Sequence, residues 1–341
     1  MKRFLLPDIL KGLAAFFMVQ IHITELFIDP AGKESLAGKA SLFLGGPFAA
    51  VVFMVVMGYF IAHNKHNISE NVFRGIRIFI LGFLLNIGLN LHLLLKIFNS
   101  GWPHNPFEYL FGIDILYLAG LSIIILAFLK LFGKWQAWAA MALFMVVGSI
   151  TGTLNEKLTL ENHYFVLPFI AGRYSWSYFP LFPWLVYPLA GFVFAHSETQ
   201  VTSFILKNKI ATRTLTISIA ALVLIFSRWG VNTTIMLPSY YHHTLTYIFW
   251  ALGLSLLWVL LIRQAIKQFP HTQTANFFCR IGKNITAFYV IQWLIIGNLA
   301  TALYQTQTIG TFPIWTGIVF TATVLLTFAY EKAAKWYSRK A

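Results

Sequence analysis

The sequence predicts an all-α, polytopic membrane protein with about ten transmembrane helices and with N and C termini both cytoplasmic. Composition, run length and charge distribution carry this reading. Of the 341 residues, 58% are hydrophobic and only 11% charged, against roughly 25% charged in an ordinary soluble domain. So few polar groups cannot cover a water-soluble fold of this length. The apolar residues also gather in runs near twenty long, the length that about 30 Å of hydrocarbon demands of a helix. Barrel strands would alternate apolar and polar residues, whereas these runs are apolar all round.

The runs place spans at 6–28, 41–62, 74–96, 108–132, 135–153, 179–197, 209–228, 242–262, 284–304 and 312–334. The segments between them fall into two alternating sets. One set holds 19 of the 25 Lys and Arg; the other holds only Lys33, Lys39, Lys96, Lys157, Arg173 and Arg228. The positive-inside rule makes the first set cytoplasmic. The net charge of +14 is therefore read as topology facing membrane lipid, and no nucleic-acid partner is expected. A lone cysteine, Cys279, allows no intrachain disulfide and no cysteine-based metal cluster; it is expected in a reduced state in a cytoplasmic loop. Met1-Lys2-Arg3 opens like a signal peptide, but no small-residue cleavage site follows, so no cleavable leader is expected. Nothing in the sequence sets an oligomeric state. The longest outer segment, 154–178, is rich in aromatics and long enough to fold over an outward-facing cavity. The absence of internal repeats and of similarity between the halves disfavours an inverted-repeat transporter.

Ionisable and amide side chains inside spans mark candidate function, because hydrocarbon penalises them unless they are paired or wet. In the first span, Lys11 and His22 are eleven positions apart, three helical turns or roughly 16 Å, on nearly one face. Gln20 and Glu25 lie beside them. An imidazole is suited to proton transfer near neutral pH; a satisfied core histidine with a snorkelling lysine is the structural reading. Arg74 and Arg77, at the start of the third span, suit phosphate recognition or simple anchoring. Asn86 and Asn90 share a face and fit helix–helix hydrogen bonding as well as substrate contact. Asp114 in the fourth span is a candidate partner that would orient His22. Pro180, Pro183 and Pro188 predict a broken entry to the sixth span, the kind of backbone tolerated only beside protein or water. His163, Arg173, Trp184 and His242 are candidate acceptor contacts near the outer surface. No ligand spacing among His22, His163 and His242 supports a metal site, so no metal is expected.

Several short segments occur in the order of a known family. Asp8-Ile9-Leu10-Lys11-Gly12-Leu13-Ala14 is similar to an opening D-x-x-R-G-x-A, with Lys11 in the place of Arg; the second span carries a proline and ends in Met57-Gly58. FGIDILYLAGL leads into the fourth span, LFPWLVYPLAGF holds Pro183, Trp184 and Gly191, and IGKNITAFYVIQW holds Gly282, Asn284 and Tyr289. On these segments the chain resembles the integral-membrane acyltransferases, most closely the bacterial heparan-α-glucosaminide N-acetyltransferase-like proteins. The sister acyltransferase family 3 shares the basic-residue-to-histidine spacing of the first span, and a YeiB-like group is related. Two departures stand out. Lys11 lacks the guanidinium fork, and the outer segment 29–40 lacks the histidine that the animal lysosomal enzyme uses.

The resemblance implies transfer of an acyl group, acetyl in the closest relatives, from cytoplasmic acetyl-CoA to a sugar or glycan on the outer side. On that reading Lys11, Arg74 and Arg77 hold the donor phosphates. His22 is a general base or an acyl carrier, oriented by Asp114 or Glu25, and Asn86 or Asn284 donates to the thioester oxygen. A proton-coupled transporter or flippase without covalent chemistry is the alternative class.

Overall fold

The computed structural model describes residues 5–158, 165–269 and 272–338. Among these residues no strand forms; the only β-type contacts are two isolated bridges, Ile28–Gln307 and Ile113–Ser177. The long helices in chain order are α1 (Leu5–Leu26), α2 (Leu36–His63), α3 (Ile68–Leu89), α4 (Ile115–Leu129), α5 (Gln136–Lys157), α6 (Val186–Lys207), α7 (Lys209–Ile225), α8 (Leu245–Gln268), α9 (Gln273–Lys283), α10 (Ile285–Leu303) and α11 (Phe312–Tyr337). Every expected apolar segment has its helix, and the protein is an all-α polytopic membrane protein.

About ten apolar segments join into fewer continuous helical stretches. Among the described residues, seven helical stretches are long and apolar enough to span a membrane, or eight when Leu181–Lys207 and Lys209–Ile225, bent by 109°, count as one span. Both differences fall at breaks. The fourth and fifth segments form one stretch, Ile115–Lys157, interrupted at Gly133, whose backbone (φ 51°, ψ −121°) is not helical and is open to glycine without strain. The sixth segment starts late, at Val186, because Pro180 and Pro183 delay it, and then runs on to Lys207. Among the long helices, α9 was not expected; it carries Cys279 in a buried position. Its apolar residues occupy one face only, so it lacks the all-round hydrophobicity of a span.

The chain forms two compact units. The first comprises 1–50, 85–110 and 259–341, the second 51–84 and 111–258. In the first unit, Ala15, Val19, Ile23 and Phe27 recur every four residues along α1 and pack with Ile281, Phe288, Ile296, Ala300, Val319 and Val324. That spacing keeps one stripe of a 3.6-residue helix turned to the core. Helix α1 meets α9 without intervening side chains: a β-carbon on Gly12 would strike the Phe278 backbone, and one on Gly282 would strike the Asp8 carbonyl. On its other side α1 locks to α2 through polar groups. Gln20 Nε2 donates to the Ser41 carbonyl at 2.8 Å, and Thr24 Oγ1 lies 2.6 Å from Ser41 Oγ. The loop after α10 pairs with the end of α1, with Gln307 N donating to the Phe27 carbonyl at 2.9 Å and Asp29 N to the Gln307 carbonyl at 2.8 Å.

The second unit repeats the close crossing. A β-carbon on Gly58 of α2 would strike the Pro188 carbonyl, and one on Gly191 of α6 the Val55 carbonyl. Beside it lies a buried aromatic core of Trp184, Tyr187, Tyr240, Tyr247 and Trp250. The described part of the long segment 154–178 is knitted into this unit. Ile113 N donates to the Trp176 carbonyl at 2.7 Å, Ser177 Oγ donates to the Pro168 carbonyl at 2.7 Å, and Phe169 stacks near Phe79 and Tyr117.

These crossings admit no extra carbon. Gly282→Ala is expected to lower the thermal midpoint of the purified protein by an amount matching about 1–3 kcal/mol of overpacking. Gly152→Ala, with nothing within 4 Å of its added carbon, is expected to leave the midpoint unchanged or raise it. Equal effects of the two substitutions on thermal unfolding would contradict the packing account.

Candidate active site

Helix α1 carries polar groups at two depths. Near its start, Asp8 is buried and pairs with Lys11 at 2.9 Å, one turn on. The ion pair is local, so it forms with the helix itself and leaves the lysine 14% exposed. Three turns further along, His22 is only half-buried, yet its Nδ1 is fully enclosed and has no hydrogen-bond partner, carboxylate or otherwise. The accessible part of the ring therefore lies elsewhere than at Nδ1. Trp293 of α10 covers one face of the imidazole, with ring centroids 4.1 Å apart and 37° between planes.

The neighbours of that stack are also unmatched. Gln292 is wholly buried, and neither its Oε1 nor its Nε2 has a hydrogen-bond partner; Trp293 Nε1 has none either. Each unmet buried polar group costs on the order of 1–3 kcal/mol, so native cores rarely collect several in one place. The first unit thus holds unmatched buried hydrogen-bonding atoms on His22 and, on α10, on the adjacent Gln292 and Trp293, the last of which covers one face of the imidazole. Gln292 and Trp293 were not singled out from the sequence, although an amide in the middle of the run YVIQWLIIG was a visible signal.

The other amides expected at the donor are engaged in structure. Asn86 Nδ2 donates to the Leu110 carbonyl at 3.0 Å, and Asn90 Nδ2 to the Asn86 and Tyr109 carbonyls at 2.9 and 3.2 Å. Together they fix the segment 106–110 to the end of α3. Asn284, at the junction of α9 and α10, donates to the Arg280 carbonyl at 3.0 Å and ends α9. Neither placement singles these amides out for a thioester, whereas Gln292 has both its amide atoms unmatched.

In the second unit, Arg74 and Arg77 are exposed on α3 and make no ion pair among the described residues; Arg77 lies over the Phe73 ring at 4.2 Å. Asp114 is the N-cap of α4, its Oδ1 accepting from Ile115 N at 2.5 Å. Trp184, expected at the acceptor, belongs to the core instead: it is wholly buried and its indole N–H donates to the Tyr241 carbonyl at 2.8 Å. His163 lies outside the described residues. Arg173 is exposed and acts on His242, which is buried in the turn before α8 with Nδ1 unmatched. Burial, and secondarily the Arg173 guanidinium, push His242 down to about 4. The adjacent His243 is fully engaged. Its Nδ1 lies 2.6 Å from the Tyr240 carbonyl, which requires an N–H there, and its Nε2 then accepts from the Tyr187 hydroxyl at 2.8 Å. Burial lowers His243 to about 3. Among the described residues, no group of three His, Cys, Asp or Glu side chains is placed to hold a metal ion.

Comparison with known families gives the class of this membrane-embedded helical chain, a membrane acyltransferase. The chain belongs to acyltransferase family 3, whose acyltransferase domain matches residues 5–332. Comparison with curated proteins gives no match. The family shown is thus the sister family whose first-span spacing Lys11 and His22 share.

His242 and His243 both bind protons more weakly in the folded protein than their ordinary 6.5. Their contribution to stability is therefore complete above about pH 6.5 and declines as pH falls towards 4, because the unfolded chain takes up the protons first. The thermal midpoint is expected to drop between pH 7 and 4.5, and to drop less steeply in His243→Asn. A slope that His243→Asn leaves unchanged would contradict this assignment.

Proposed function

We propose that this membrane acyltransferase carries an acyl group, acetyl by the narrower resemblance to heparan-α-glucosaminide N-acetyltransferase-like proteins, from cytoplasmic acyl-CoA to a sugar or glycan on the opposite side. The observation that carries the reading is His22: an imidazole deep in a span, partly accessible, stacked on Trp293 and set three turns from the Lys11–Asp8 pair. Lys11, ion-paired to Asp8 and 14% exposed, is the candidate ligand on α1 for the donor phosphates. Arg74 and Arg77, exposed and without ion pairs among the described residues, are separately available as phosphate ligands, and each set is testable alone. Arg173 and His242 are the groups of the second unit that suit a polar acceptor.

In the direct form of the reaction, His22 takes the proton of the acceptor hydroxyl or amine as its heteroatom attacks the thioester carbon. The new C–O or C–N bond forms, the C–S bond breaks, and the proton passes from His22 to the departing thiolate. In the two-step form, a ring nitrogen of His22 attacks the thioester carbon, the C–S bond breaks and coenzyme A leaves as the thiol with the ring's proton; the acceptor heteroatom then attacks the acyl-imidazole, the acyl–nitrogen bond breaks and the acceptor's proton returns to the ring. Because Nδ1 is enclosed, both forms use the accessible part of the ring. Asp114, whose Oδ1 caps α4, is given no step in either form.

Binding and chemistry separate cleanly. Coenzyme A and acetyl-CoA are expected to raise the thermal midpoint of the detergent-purified protein, Lys11→Ala and Arg74→Ala to weaken that shift, and His22→Ala to bind donor while losing acyl transfer by at least 10²-fold. No stabilisation at millimolar donor, or undiminished transfer by folded His22→Ala, would overturn the reading.

A further inference from the structure

Gln20 and Gln292 are two buried glutamines of the same unit, and they are treated in opposite ways. The amide of Gln20 is matched: Nε2 donates to the Phe17 and Ser41 carbonyls at 3.1 and 2.8 Å, and Oε1 accepts from Ser41 Oγ. It joins α1 to α2. Gln292 is more deeply buried, at 0% exposure, and has neither donor nor acceptor satisfied. It occupies the buried stripe of α10 between Phe288 and Ile296, both members of the core shared with α1. Its neighbour in sequence is the indole that lies on His22. Packing gives no reason for an amide here, where leucine or methionine would fill the same volume without an unmet polar group.

Resting on the acyl-transfer reading above, we propose that Gln292 is a further catalytic residue: its Nε2–H binds the carbonyl oxygen of the acyl group while His22 takes the acceptor's proton. The chemistry selects an amide. As the heteroatom attacks, the carbonyl double bond opens and negative charge collects on oxygen; a fixed N–H donor held in a dry core stabilises that charge more than it stabilises the neutral thioester. A lysine or arginine there would need a counter-ion in hydrocarbon, and a carboxylate would repel the oxygen. An amide supplies the donor without charge, which is what a carbonyl oxygen gathering negative charge requires. When the thiolate leaves and the carbonyl re-forms, the oxygen returns to neutral and the bond to Nε2 weakens, so product is not retained.

The test uses the full-length protein in detergent with Gln292→Met and Gln292→Glu. Gln292→Met removes the unmet amide while keeping length, so it is expected to raise the thermal midpoint, to leave stabilisation by coenzyme A unchanged, and to lower kcat for acyl transfer by at least 30-fold with little change in the donor KM. Gln292→Glu is expected to lower kcat further. In the infrared spectrum of carbon-13 carbonyl-labelled acetyl-CoA bound to His22→Ala protein, the carbonyl band is expected at lower frequency than in solution and to shift back when Gln292→Met is added. A Gln292→Met variant with wild-type kcat, or one whose midpoint and activity fall together, would overturn the assignment while the acyl-transfer reading stands. Failure of wild-type protein to bind any acyl-CoA would overturn both.

Discussion

Where α1 crosses α9, no side chain separates the two backbones: Gly12 lies against the Phe278 carbonyl and Gly282 against that of Asp8. A contact this close fixes the rotation and height of both helices, because a one-residue slip would drive a β-carbon into backbone. It explains the burial of Asp8, which the crossing encloses, and hence the pairing of Lys11 with it at 2.9 Å. With α1 held at this end, its later turns have no freedom to rotate. Ala15, Val19, Ile23 and Phe27 face the core, Gln20 and Thr24 reach Ser41, and His22 meets Trp293. The second unit uses the same device at Gly58 and Gly191.

That device is also what the sequence displayed most plainly. Four of the segments that carried the family resemblance contain these glycines, in D-x-x-K-G, Met-Gly, F-P-W with its later Gly, and G-x-N. Read as motifs they suggested chemistry; in the structure their glycines are places where backbone touches backbone. All-round apolar runs gave the long helices just as directly, since nothing else crosses hydrocarbon with its backbone satisfied. How the apolar segments join was less legible. A break such as Gly133, or the 109° bend between α6 and α7, decides whether two neighbouring apolar segments form one helical stretch or two. Helix α9 escaped notice for the opposite reason: it is amphipathic, with Arg280 and Lys283 in its last turn, and reads as loop when the search is for spans.

Polar residues inside spans were visible too, but their roles were not, because a satisfied amide and an unmet one are the same letter. Asn86, Asn284 and Trp184 had chemical standing from their residue types and motif positions, and each proved to be matched to a backbone carbonyl. Such groups hold a membrane fold together, since a buried donor finds its partner wherever the chain allows. His22, Gln292 and Trp293 differ from these three in holding buried atoms with no hydrogen-bond partner, a difference that only three-dimensional neighbours create. Sequence spacing found the first through its register with Lys11. The other two lie on α10, far along the chain, and no spacing on α1 could point to them.

The length of α1 between its two polar stations bears on what kind of donor suits it. From Lys11 to His22 is about 16 Å along the axis, and the intervening residues Gly12–Ile21 offer one polar side chain, Gln20, already bound to Ser41 and Phe17. A molecule charged along its whole length would meet no counter-charge there and would be excluded by the cost of burying it. A molecule charged at one end only, joined to its reactive carbonyl by a long neutral arm, can leave its phosphates at the lysine and bring an uncharged acyl group to the imidazole. Acyl-CoA has that distribution of charge. The constraint works in the other direction as well: a short acyl phosphate carries its charge beside the reacting carbon and would have to bring it to a site whose unmatched groups, an imidazole, an indole and an amide, include no fixed cation. If Lys11 and His22 serve one donor, as proposed, the sparing use of charge along α1 fits a thioester better than an acyl phosphate.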